Sequence, residues 1–119
     1  MEIEYASVKC RKKCVQLANI YNAAVKKGKE CKDRNASLYT KIVSFISACD
    51  NFEIAMKLAS FKTLRGHMLK GDLHGKWAFD MVHPQRFVFD VICEIKQKDG
   101  SFDYTKARKI CIYNIEDYH

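Results

Sequence analysis

Residues 66–92 read GHMLKGDLHGKWAFDMVHPQRFVFDVI, and a change of rhythm inside them decides the fold. The first ten form a polar run in which Gly66, Gly71 and Gly75 alternate with His67, Lys70, Asp72 and His74. After that run Trp77, Phe79 and Met81 alternate with Ala78, Asp80 and Val82. Beyond His83-Pro84, Phe87, Phe89 and Val91 alternate with Arg86, Val88 and Asp90. A period of two on both sides of a short polar break predicts an antiparallel hairpin. It also sets Arg86 inside a strand, where a charged side chain needs a reason.

Downstream, Asp99-Gly100 is the strongest turn dipeptide of the chain. It predicts an extended second hairpin, returning in a last strand over residues 109–115. Counting outward from the turn sets Arg86 across from about Tyr113. Ile110, Cys111, Ile112, Tyr113 and Ile115 make the last strand apolar on both faces, which predicts a place inside the sheet.

Upstream, Ile3 and Tyr5 alternate with Glu2 and Glu4 in a short strand, and Ser7 is placed to cap a helix. Cys14, Leu17, Ala18, Tyr21 and Val25 make the apolar stripe of that helix, and Gly28 ends it. Residues 29–35 read as a loop. Leu38, Ile42, Phe45, Ile46 and Cys49 make a second stripe, so the two helices form a helical hairpin. Asp50 and Glu53 have capping-box spacing, which predicts a short third helix over residues 51–58, with residues 62–66 as a connector. The expected architecture is α+β: an N-terminal strand, a helical hairpin plus a short third helix, then an antiparallel sheet of three to four strands, in a single domain over residues 1–119.

Composition narrows the class. With 48% hydrophobic residues and a single proline, the chain suits a folded protein and not a disordered one. It has no apolar run long enough to cross a bilayer and no charged-then-apolar leader, so the expectation is a cytoplasmic protein. The net charge of +7 points to a negative partner. Residues 1–35 carry nine Lys and Arg against four Asp and Glu, most simply the solvated face of a helix. Residues 62–86 carry five against two, with three of the four histidines, and there the charges flank glycines and strand ends. The six cysteines are widely spaced and read as reduced thiols filling apolar positions. Cys10, Cys14 and Cys31 lack the CxxC or HxxxH pair that would complete a zinc site.

The chain ends in Glu116-Asp117-Tyr118-His119, which on composition alone reads as an exposed tail. Taken together, His67-Met68-Leu69-Lys70-Gly71-Asp72, Gly75-Lys76-Trp77 opening a strand, Gln85-Arg86-Phe87-Val88-Phe89 and the Asn114-to-His119 ending resemble the RelE/ParE superfamily of bacterial toxins, nearest the HigB branch. Four separate segments agree in order and approximate spacing. Met68 stands where the family usually has proline, and the hairpin over residues 90–108 is longer than in compact members. Over residues 1–60 only the order strand, helix, helix agrees.

The resemblance implies the toxin of a toxin–antitoxin pair, a ribosome-dependent endoribonuclease that cleaves message RNA in the decoding site of the small subunit. It implies no metal and no cofactor, since the ribose 2'-OH is driven onto the adjacent phosphate. Such chemistry needs a proton acceptor, a proton donor and cations around the phosphate. Residue by residue, the matching positions are His67, Lys70, Arg86, Asp117, Tyr118 and His119. Lys70 and Arg86 suit phosphate clamps. His119 or Asp117 suits proton transfer and Tyr118 suits stacking on a base. His67 is either a second acid–base group or structural. Trp77 reads as core, and His74 and His83 as solvated loop residues. The implied partners are message, the small ribosomal subunit and a cognate antitoxin of the HigA-like helix-turn-helix kind. The basic first helix is then a candidate contact for ribosomal RNA. Two alternatives stay open: a ParE-like toxin that binds gyrase, and a basic RNA- or ribosome-binding protein that does not cleave.

Overall fold

Three side-chain caps decide where the helices begin in the computed structural model of the chain, which describes residues 1–73, 75–93 and 98–117, the side chains of Glu116 and Asp117 excepted. After β1 (Glu2–Tyr5), the Ser7 hydroxyl accepts from the Cys10 N–H at 3.1 Å and opens α1 (Val8–Lys26), as its position predicts. Asp33 accepts from the Ala36 N–H at 3.0 Å, so α2 (Arg34–Ala48) begins inside the stretch read as a loop up to Asn35. The third cap corrects the reading of Asp50. It is Asn51, whose backbone is extended and whose side chain accepts from the Ile54 N–H at 2.9 Å, that opens α3 (Phe52–Lys57). Glu53, expected to close a capping box, pairs instead with Lys57 at 2.9 Å. The connector expected over residues 62–66 is also shorter than predicted, because α4 (Ala59–Thr63) continues through Lys62 and Thr63, with Phe61 buried.

Among the described residues five strands make one sheet in the order β1-β5-β4-β3-β2. Four are antiparallel: β2 (His67–Met68), β3 (Trp77–Asp80), β4 (Gln85–Ile92) and β5 (Lys109–Asp117). The N-terminal β1 joins them parallel to β5, with Ile3 across from Ile110. Both the expected hairpin and the interior position of the last strand are present. The first strand of the hairpin ends at Asp80, leaving Met81 and Val82 to the turn.

The register of Arg86 is the main correction to the sequence reading. Its Cα partner on β5 is Glu116, not a residue near Tyr113. Two irregularities escape counting from Asp99-Gly100. A 3-10 turn over Tyr104–Lys106 lengthens the returning arm, and a β-bulge shifts the ladder between Val88 and Phe89. The bulge has a packing reason. Ile110 and Ile112 are buried, and an extra residue returns Ile115 to the buried side while Tyr113 stays exposed.

Helices cover one face of the sheet. Phe79, Phe87, Phe89, Ile110 and Ile112 are fully buried beneath Ile42 and Ile46 of α2 and Cys14 of α1. Each such side chain contributes roughly 1.5–3 kcal/mol by leaving water. Phe52 anchors the far end, meeting Phe61, Trp77, Phe89 and Tyr104 edge-on at centroid distances of 5.0–6.0 Å. Trp77 is thus a core residue, as expected, and His83 is exposed. All six cysteines carry free thiols, and Cys10, Cys14 and Cys49 are buried. Among the described residues no helix is long and apolar enough to cross a membrane.

Candidate functional site

Among the described residues no α-helix covers the other face of the sheet. Alternation presents Ala78 and Asp80 of β3, and Arg86, Val88 and Asp90 of β4, on that side. A small second cluster covers part of it: Leu69 and Leu73, from the loop between β2 and β3, pack on Ala78 and Val88. The Leu69 N–H donates to the Lys76 carbonyl at 2.8 Å, and Gly71 takes the left-handed φ of +73° that lets the loop double back. Two leucines therefore hold down the loop that carries the exposed Lys70. At this end of the face Lys76 grips both oxygens of Asp90 at 2.8 and 3.0 Å and lies 4.3 Å from the centre of the Tyr113 ring.

Charges line the opposite end. Asp80 lies across from Arg86 in the β3–β4 ladder, and Arg86 across from Glu116 in the β4–β5 ladder. The Asp80 carboxylate receives two guanidinium groups, Arg65 Nε at 3.3 Å and Arg86 Nε at 3.9 Å. With 77% of the Arg65 side chain exposed, that ion pair adds at most about 1 kcal/mol to stability, so its consequence is positional. A recess of about 390 Å³ opens here, lined among others by Arg65, Asp80, His83, Gln85 and Arg86. Its floor is braced from α2. Asn35 donates to Gln85 Oε1 at 2.8 Å and accepts from the Val82 N–H at 2.9 Å, fixing the β3–β4 turn from which Arg86 emerges.

His67 is half-buried on β2, across from Ala78, with Nδ1 2.7 Å from the Arg65 carbonyl oxygen. A carbonyl only accepts, so Nδ1 carries the proton of that bond, and in the neutral ring Nε2 is the basic nitrogen. This ring can accept a proton from a hydroxyl and return it to a leaving oxygen. Three of the thiols are held in the protonated form, which is a poor base and nucleophile. Burial, then the neighbouring Cys10, pushes Cys14 up to about 12, and burial likewise raises Cys49 and Cys111. Among the described residues no cluster of three or more His, Cys, Asp or Glu is arranged to hold a metal ion.

Of the residues singled out in the sequence, His67 and Arg86 are joined through the chain His67–Arg65–Asp80–Arg86. Lys70 belongs to the other end of the β2–β3 ladder, on the loop over the open face. The backbone of Asp117 pairs with Gln85, one residue from Arg86, while Tyr118, His119 and His74 lie outside the described residues. Sequence reasoning passed over Arg65, Asp80 and Asn35. Asp80 was visible as a charge on the same alternating face as Arg86, and Arg65 as part of the basic stretch flanking Gly66. Nothing in the sequence marked Asn35 as a brace.

No protein-family model matches the chain, and no curated protein matches it in sequence. Among solved structures it is similar to a YoeB/ParE toxin from Agrobacterium tumefaciens, at 14% identity over 100% of both chains and a TM-score of 0.51. At that identity the likeness is one of architecture alone: the mixed α+β arrangement of an N-terminal strand, helices and a sheet is a toxin-like fold.

Proposed function

We propose that the chain is the toxin of a type II toxin–antitoxin pair, an endoribonuclease nearest the HigB branch that cuts message RNA in the ribosomal decoding site. It would act as one domain over residues 1–119, in the cytoplasm, without a metal. The observation that carries this reading is the β4–β5 register, in which the backbone of Asp117 lies beside Gln85, one residue from the guanidinium of Arg86. The toxin-like fold and the net charge of +7 support it as well.

In this reading the 2'-oxygen attacks the adjacent phosphorus as a base removes its proton. A bond forms from the 2'-oxygen to phosphorus, the bond from phosphorus to the 5'-oxygen breaks, and an acid protonates that leaving oxygen. Arg86 holds the reacting phosphate and offsets its growing negative charge, and Lys70, on the loop at the other end of the open face, clamps a neighbouring one. His67, through Nε2, together with Asp117 and His119, supplies the acid and base, and Tyr118 stacks on a base of the message. Deoxyribose lacks the nucleophile, so the substrate is RNA. The neutralising partner would be a HigA-like helix-turn-helix antitoxin.

The test is to add purified protein to a translating extract and map the RNA ends. Cuts inside codons, on translated message alone, are the expected result. Intact message with blocked translation would replace the nuclease by a non-cleaving ribosome binder. Normal translation with inhibited gyrase supercoiling would select the ParE-type reading, which the name of the similar structure keeps in view.

A further inference from the structure

Among the described residues Arg65 is the non-glycine residue with a left-handed backbone, at φ +59°. Side chains rarely adopt that conformation, and it persists where surrounding contacts require it. Three contacts converge there. The Arg65 carbonyl faces His67 Nδ1 at 2.7 Å, its Nε meets one oxygen of Asp80 at 3.3 Å, and the other Asp80 oxygen faces Arg86 Nε at 3.9 Å. From the turn after α4 the Arg65 side chain reaches Asp80, and Asp80 lies across from Arg86 in the β3–β4 ladder, so one carboxylate joins the two guanidinium groups.

We propose that Arg65 is a second phosphate-binding guanidinium, paired with Arg86 across Asp80, and that Asp80 is the positioning residue that aims both at one phosphodiester. The proposal rests on the nuclease reading for the step at which the cations act, and goes beyond it in adding a second cation and its carboxylate. Both arginines approach Asp80 through Nε, which uses one edge of each fork and keeps the Nη groups for oxygen ligands. Two guanidinium groups on one carboxylate leave a net positive charge, so the cluster still attracts a phosphate. As the 2'-oxygen adds, the phosphorane gains negative charge, and two fixed cations stabilise it more than one. The carbonyl of the same residue fixes the His67 ring with Nε2 as its free nitrogen.

Arg65→Gly makes a clean test, because glycine takes a positive φ without strain and retains the carbonyl that holds His67. With ribosomes programmed by a defined message, Arg65→Gly is expected to lower the single-turnover cleavage rate about 10- to 100-fold with an unchanged melting temperature. Arg65→Lys should fail to restore the rate, lacking the fork. Asp80→Asn makes the site more positive, so message binding should hold or tighten while the rate falls. Faster cleavage by Asp80→Asn would overturn its positioning role. A second arm measures binding of a fully 2'-O-methylated single-stranded RNA by fluorescence anisotropy across a salt series. Arg65→Gly should bind it at least about fivefold more weakly, with a salt slope shallower by about 0.7. Binding equal to wild type, or no binding by either protein, overturns the proposal. Wild type that binds this RNA but cleaves no message would remove the nuclease reading and leave the paired clamp standing.

Discussion

A guanidinium half-exposed in a strand contributes little to the fold, which is why Arg86 is informative. Its 3.9 Å approach to Asp80 is an ion pair and too long for a hydrogen bond, so removing it leaves no buried group unsatisfied. Arg86→Ala is therefore expected to change stability by no more than about 0.5 kcal/mol while lowering cleavage about 10²- to 10³-fold. Lys70→Ala and His119→Gln should likewise abolish growth arrest on induction with circular dichroism unchanged; arrest as strong as that of wild type would remove the residue concerned from the mechanism. Buried acids give a second prediction, on stability. Burial pushes Cys14 up to about 12 from 9.0 and raises Tyr39 above its usual 10.0. In both groups the folded state favours the neutral form, so the stabilisation is complete below the unfolded value and is lost above it, from pH 9 toward 12 for Cys14 and from pH 10 upward for Tyr39. Each group can steepen the fall by up to about 1.4 kcal/mol per pH unit. Urea midpoints should be flat from pH 7 to 8.5 and drop above pH 9, and the drop should be shallower in Cys14→Ala.

At the scale of elements, the joints on either side of the recess are the sensitive points. Gly66 links α4 to β2 with its Cα against the Phe61 ring, and an added Cβ would stand 2.5 Å from a ring carbon. Gly66→Ala should cost about 1–3 kcal/mol, seen as a lowered melting temperature. Asn35→Ala removes the acceptor for the Val82 N–H and the donor to Gln85, and should cost about 1–2 kcal/mol. It should also reduce cleavage several-fold by loosening the turn beneath Arg86; an unaffected rate would mean that the turn holds its shape without help from α2. The long elements were legible because their periods are unambiguous: Ile42 and Ile46 on α2, Phe87 and Phe89 on β4. The short ones were not. α4 spans too few residues to display a period, Asn51 and Asp50 are equally good caps on paper, and a bulge leaves no mark in composition.

For the whole molecule, charge is the property that a partner meets first. α1 buries Cys10, Cys14 and Leu17 and leaves a lysine-rich surface outside. Binding to ribosomes should accordingly weaken as salt rises, with log K falling by about 0.7 per contacted phosphate for each unit of log salt. Co-sedimentation at 50 and 200 mM salt measures this, and an affinity insensitive to salt would point to an uncharged protein surface as the target. The site itself was half legible. The motif carried His67, Lys70 and Arg86, but the link from His67 to Arg86 arises only when the side chain of the turn residue Arg65 meets Asp80, a meeting made by the tertiary fold and not by any local pattern.

β5 lies between β1 and β4, so the first strand of the chain waits for the last before it acquires a neighbour. A nascent polypeptide stalled before Lys109 would carry two raw borders, one on β1 and one on β4, each able to recruit a foreign strand. Interrupted synthesis of this chain should thus yield insoluble fragments in place of a partly competent one, because the open face is completed only when β5 pairs with β4.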